Sequence, residues 1–108
     1  PNLKYVSTQF QNNLTQHYRD RSDVGFYAEK ACLTPKHFST VIRQETGHTA
    51  AWWIHSHVVA EAKALLQLRR DLNIQTVADM LGFADQATFS RYFHRETGFY
   101  PSEFREGN

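Results

Sequence analysis

The sequence predicts an all-α protein built from two helix-turn-helix units joined by a long central helix. Three observations carry that expectation. Apolar residues recur every three or four positions along nearly the whole chain, the spacing of one helix face. No stretch sustains a period of two, and no hairpin dipeptide separates apolar runs. One passage is also written twice: "FSTVIRQETG" and "FSRYFHRETG" share Phe-Ser, two apolar positions and a Glu-Thr-Gly ending, at an offset of 51 residues.

The elements follow in order. Leu3, Val6, Phe10, Leu14 and Tyr18 share one face, so residues 3–19 read as an amphipathic helix. Ser22 and Asp23 are cap-type residues ahead of a short helix from Val24 to Ala31. Cys32 and Leu33 form a turn, in which Cys32 is expected as a small buried residue. Thr34-Pro35 is a strong helix start, a capping hydroxyl followed by proline at the first helical position. That third helix turns Phe38, Val41 and Ile42 inward and stops at Thr46-Gly47, where glycine suits a left-handed closing residue.

A long helix follows over residues 50–68, with Ile54, Val58, Val59, Ala62, Leu65 and Leu66 among its apolar positions. One or both of Trp52 and Trp53 are expected to pack between a head and this helix, and the polar run Arg69-Arg70-Asp71 ends it. Asn73 caps a short helix holding Ile74, Val77, Ala78 and Leu81, and Gly82-Phe83-Ala84 is a turn. Asp85 caps a helix that turns Phe89, Tyr92 and Phe93 inward and stops at Thr97-Gly98. Pro101 opens a last short segment containing Phe104. The expected organisation is a first subdomain over 1–48, a linker helix over 49–70 and a second subdomain over 71–108, together one domain.

Composition narrows the function. With 41% hydrophobic and 14% aromatic residues the chain has material for a core, and 21% charged residues is too few for a disordered chain. A net charge of +1 leaves the partner undecided, so the distribution of charge must decide it. Cys32 is the single cysteine, so no intrachain disulfide forms, which agrees with a cytoplasmic location. No apolar run is long enough for a membrane span, and no signal peptide is visible. The chain begins at Pro1 without Met and reads as a fragment of something longer. His55 and His57 lie on different helix faces, and no Cys/His set has zinc spacing, so neither metal nor cofactor is expected. No nucleophile–base set or phosphate loop appears, which disfavours an enzyme.

The repeat extends backwards: Ala28 matches Ala78 and Cys32 matches Gly82 at an offset of 50, so the second copy has one extra residue in its turn. Each copy is a short helix, a tight turn and a second helix. With the aromatic face inward, Lys36, His37, Thr40, Arg43 and Gln44 face outward in the first copy. Gln86, Thr88, Arg91, His94 and Arg95 do so in the second. A DNA major groove offers acceptors, donors and thymine methyls to such residues, and each helix start can offer amides to phosphate. The connecting helix of 19 residues would be about 28 Å long, against roughly 34 Å between successive major grooves.

These residues resemble the DNA-binding domain of the AraC/XylS transcription regulators, over about Leu3 to Arg105. The strongest part is "IQTVADMLGFADQATFSRYFHRETGFYPSEFR", with Ala78, Gly82-Phe83, Phe89, Arg91, Phe93, Gly98, Pro101 and Phe104-Arg105. "AEKACLTPKHFSTVIRQETG" and the linker's "WI…AKALL" are also similar. The resemblance implies seven helices, promoter DNA as the partner, control of transcription and RNA polymerase as a protein partner. By position it implies base-facing roles for Lys36, His37, Ser39 and Thr40 in the first head, and for Gln86, Ala87, Thr88 and Arg91 in the second. Arg43, His94 and Arg95 would meet backbone phosphate. Three residues depart from the family pattern: Cys32 replaces a usual glycine, Val58 a usual basic residue, and Ala87 is short. The fragment is expected to be monomeric, with dimerisation left to a domain outside it. The expected function is sequence-specific binding of double-stranded DNA across two successive major grooves. The competing reading is a helical protein-interaction module that contacts RNA polymerase or another protein and binds DNA only weakly.

Overall fold

The computed structural model describes residues 3–107, apart from the Lys4 side chain, and every regular element among them is helical. A single 3-10 turn, Leu3–Tyr5, leads into α1 (Val6–His17). Then come α2 (Val24–Lys30), α3 (Pro35–Thr46), α4 (Ala50–Leu68), α5 (Ile74–Met80), α6 (Gln86–Thr97) and α7 (Pro101–Glu106). The expected first helix over 3–19 is therefore shorter, because its first turn is wound more tightly and no side chain caps its start. Internal contacts group the chain into two compact units, Pro1–His57 and Val58–Asn108, and α4 runs through the boundary.

In the first unit, Val6, Phe10 and Leu14 of α1 meet Tyr27, Ala28, Phe38, Val41 and Ile42 in one buried cluster, joined by Ala50 and Ile54 at the start of α4. Phe10 is its centre, edge-on to Tyr27 at 5.3 Å and to Phe38 at 5.2 Å, the quadrupole-favoured arrangement. The Tyr27 hydroxyl donates to the Arg21 carbonyl at 2.8 Å, and burial pushes its pKa up to about 12. In the second unit, Val77, Ala78, Leu81, Phe89 and Phe93 are buried, as are Val58, Ala62 and Leu66 of α4. Phe89 packs between Phe83 (5.2 Å) and Phe93 (5.8 Å), and Phe93 meets Phe104 of α7 at 5.5 Å. Val58, which departs from the family's usual basic residue, is a buried core residue.

The caps read from sequence are made at four helices, with Asp23 and not Ser22 serving α2. Asp23 accepts from the Phe26 amide at 3.0 Å, Thr34 from His37 at 3.2 Å, Asn73 from Thr76 at 2.8 Å and Asp85 from Thr88 at 2.7 Å. At the other end of α4, the Arg105 guanidinium donates to the carbonyls of Leu66 (2.9 Å), Arg69 (3.1 Å) and Leu72 (2.6 Å). One planar fork thus holds a carbonyl of the last turn of α4 and two of the loop after it, and it pins α7 beside them.

The α2–α3 turn holds a further correction. Cys32 is exposed, not buried, and it has φ +59°. Its amide donates to Glu29 and the Leu33 amide to Ala28, the double closure that needs a left-handed residue. The second turn repeats this at Gly82, φ +87°, with its amide on Asp79 and the Phe83 amide on Ala78. The chain reverses through this residue, so the position faces solvent, and the cysteine side chain carries a strain that Gly82 avoids.

Replacing Cys32 with glycine should therefore stabilise the chain by about 0.5–1 kcal/mol in denaturant melts, and a loss of stability would contradict the strain. Phe89→Ala should destabilise the second unit by about 3–5 kcal/mol, so an unchanged melting temperature would contradict its place in the core. The carboxyls of Asp23, Asp71 and Asp85 are held below the usual 3.8, the first two chiefly by Arg21 and Arg69 and the third by the Thr88 amide. Each binds a proton less readily folded than unfolded, so its contribution is complete above the unfolded value and disappears as pH falls through the folded one. Denaturant midpoints should drop on acidification from pH about 5 to about 3; a flat or rising midpoint would show that these pairs do not hold in solution.

Candidate nucleic-acid interface

The two second helices have the same frame. Each is 12 residues long, starts at a side-chain cap and ends at a left-handed glycine, Gly47 at φ +84° and Gly98 at φ +85°. Just before the glycine, a threonine hydroxyl bonds back into its own helix, Thr46 to the Ile42 carbonyl (2.7 Å) and Thr97 to the Phe93 carbonyl (2.8 Å). The same oxygen accepts from the backbone beyond, from the His48 amide at 3.3 Å or the Phe99 amide at 3.1 Å. In the first unit it also accepts from the Trp53 indole at 2.8 Å, so Trp53 packs at this end of α3.

This frame sets which residues face out. In α3, Phe38, Val41 and Ile42 are buried; Lys36, His37, Thr40, Arg43 and Gln44 are exposed, and Ser39 is half-buried. In α6, Phe89 and Phe93 are buried and Tyr92 is half-buried; Gln86, Ala87, Arg91, His94 and Arg95 are exposed, and Thr88 is half-buried. The outward faces read from sequence are thus brought together on each helix, with Ser39 and Thr88 at the edge.

Several of these side chains already have local partners. The Thr40 hydroxyl donates to the Lys36 carbonyl at 3.0 Å, which leaves its lone pairs and methyl for other contacts. Arg91 Nη2 approaches Thr88 Oγ1 at 3.5 Å. Arg95 lies beside Glu96 (3.5 Å) and over the Tyr92 ring (5.3 Å), and burial raises the Tyr92 phenol to about 12. His94 stacks on Tyr100 at 4.1 Å, with the rings 13° from parallel. One amide of each helix start, at His37 and Thr88, is taken by the cap, so those two are not left for an anion.

The repeat runs further than the doubled passage alone indicated. Beyond the glycine, Thr49 caps α4 through the Trp52 amide (3.0 Å), and Tyr100 opens α7 with its amide held by Glu103 (2.8 Å). Trp53 and Phe104, again 51 apart, both pack back towards the second helix of their unit. Extending the same offset past Gly47 would have found this third helix in each unit. His48 and Trp52 stack at 3.7 Å on the surface, a pair that spacing did not single out.

Residues 27–107 match the helix-turn-helix domain family. The arabinose operon regulatory protein of Escherichia coli is 38% identical over 87% of this chain, but the chain spans only 32% of that relative. A probable transcription factor, PqrA of Proteus vulgaris, is 30% identical over 96% of the chain and 80% of its own length. The C-terminal domain of AraT, a response regulator of Geobacillus stearothermophilus, has the same fold, with TM-score 0.85 at 24% identity, covering 100% of this chain and 89% of that one. The DNA-binding domain of AdpA, solved with a target DNA, also shares the fold, with TM-score 0.80 at 24% identity over 94% of this chain and 90% of that one. By the match over residues 27–107 and these relatives, the chain belongs to the AraC/XylS family of helix-turn-helix transcription regulators.

Proposed function

We propose that the chain is the sequence-reading part of a transcription regulator, binding double-stranded promoter DNA with both α3 and α6. The carrying observation is that the two helices share an inward apolar frame position for position while their outward positions differ. Lys36, His37 and Thr40 stand where Ala87, Thr88 and Arg91 stand in the other copy. Two heads with the same frame and unlike faces suit two unlike half-sites on one duplex. The length of α4, 19 residues, supports half-sites about one helical turn apart.

Within this reading, Lys36, His37, Ser39 and Thr40 read bases from α3, and Gln86, Ala87, Thr88 and Arg91 from α6. Arg91 suits guanine through its fork, Gln86 suits adenine, and Ala87 offers at most an apolar contact to a thymine methyl. Arg43, His94 and Arg95 meet phosphate. The work done is binding, not catalysis. RNA polymerase is the expected protein partner, as the resemblance implies, and the site of action is the cytoplasm. Among the described residues, no helix is long and apolar enough to cross a membrane.

Salt titration of binding to promoter-like duplexes should show affinity falling steeply and log-linearly, as phosphate contacts release counterions. Flat salt dependence, or no binding to any duplex, would favour a protein-interaction module. Arg91→Ala should weaken binding by about 1–3 kcal/mol and relax preference at one base pair. Equal weakening on all sequences would make Arg91 a phosphate contact instead.

A further inference from the structure

The two second helices, α3 and α6, differ at the residue that caps their start. The first is capped by a neutral hydroxyl, Thr34, and the second by a carboxylate, Asp85. Both do the same work for the helix, each accepting the amide three residues on. A carboxylate at this end of a DNA-reading helix nevertheless carries an electrostatic penalty, because it approaches a phosphate backbone. A neutral cap would serve the helix nearly as well, short only of the carboxylate's small favourable interaction with the helix start.

What the charge adds lies one turn further along. Asp85 Oδ1 holds the Thr88 amide at 2.7 Å, and Arg91 Nη2 reaches back towards Thr88 Oγ1 at 3.5 Å. The three residues are spaced i, i+3, i+6, a row that winds about 120° round the helix, with Thr88 between the other two and Arg91 reaching back to it towards the helix start. The equivalent row in the first head is Thr34, His37 and Thr40. There the Thr40 hydroxyl is bonded into its own backbone, and no side chain leans towards the cap from it.

Resting on the DNA-reading role of α6, we infer that Asp85 is the positioning residue that sets sequence discrimination in the second head. It touches no base. Its carboxylate draws the Arg91 guanidinium along the Thr88 face towards the end of the helix that enters the groove, so the arginine is partly ordered before DNA arrives. The same charge repels phosphate, so contacts that do not satisfy Arg91 are disfavoured. Binding to unrelated sequence weakens while binding to the correct base pair keeps its bidentate contact. Discrimination comes from penalising the wrong complex as well as favouring the right one. The first head lacks this device and should discriminate less at its Thr40 position.

The test uses the 108-residue chain with three probes: the duplex it selects from a random pool, that duplex changed at the base pair Arg91→Ala identifies, and poly(dI-dC). Asp85→Asn keeps a side-chain cap and removes the charge. Expected results are a melting temperature close to wild type and affinity for poly(dI-dC) raised roughly two- to fivefold. Preference at the Arg91 base pair should fall by about threefold or more. In an Arg91→Ala background the same change should no longer alter preference at that pair. If Asp85→Asn lowers the melting temperature, Asp85→Ser supplies a second neutral cap and is read the same way. An unchanged ratio of selected to unselected affinity in the neutral-cap variants would overturn the inference and leave Asp85 a helix cap. So would a loss of preference that persists without Arg91. Failure of the wild-type chain to select any duplex would instead overturn the DNA-reading role itself.

Discussion

The rotation of α3 and of α6, the two helices proposed to read DNA, depends in each case on one buried aromatic ring. Phe38 in α3 and Phe89 in α6 are almost wholly removed from solvent, each against aromatic neighbours of its own unit. Successive residues of a helix are about 100° apart, so anchoring one position determines where every other one points. A slip of a single residue would bury Ser39 or Ser90 and turn the charged side chains onto new bearings. The apolar pairs Val41-Ile42 and Tyr92-Phe93 hold the same register from one turn further on. The exposed set in each head is thus a consequence of the core.

The helix ends make that frame finite. A threonine hydroxyl and a left-handed glycine close α3 and α6 in the same way, and the chain that leaves packs back through Trp53 or Phe104. The doubled Glu-Thr-Gly ending is therefore the stop of a scaffold, while the positions that differ between copies carry whatever distinguishes the heads. Where a copy departs from its twin inside the scaffold, the cost is visible, as at Cys32 with φ +59° against Gly82.

Most of this was legible in the sequence, for definite reasons. Helix limits were readable at Thr34, Asn73, Asp85, Gly47 and Gly98 because caps and closing glycines are local chemistry. The inward faces were readable because large aromatics at three- and four-residue spacing leave few alternatives. Legibility failed where a residue's role depends on backbone conformation or on distant partners. Cys32 read as a small buried hydrophobe, but its place in the turn, and not its side-chain chemistry, decides its exposure. Arg105 was visible only as part of a motif; that it holds three carbonyls 33 to 39 residues earlier in the chain is a tertiary fact. Likewise the spacing of Asp85, Thr88 and Arg91 is plain in the sequence, but that Asp85 and Arg91 both reach Thr88 is visible only in the side-chain geometry.

The central claim is that the shared frame is interchangeable between heads while the unshared outward residues carry the reading. Transplanting the first head's residues into the second tests it directly, with Ala87→Lys, Thr88→His and Arg91→Thr combined in one chain and selected against random duplexes. The account predicts a folded protein whose first half-site is unchanged and whose second half-site shifts towards the sequence of the first. A second half-site that stays as in the wild type would contradict the claim, because specificity would then reside outside the three exchanged residues.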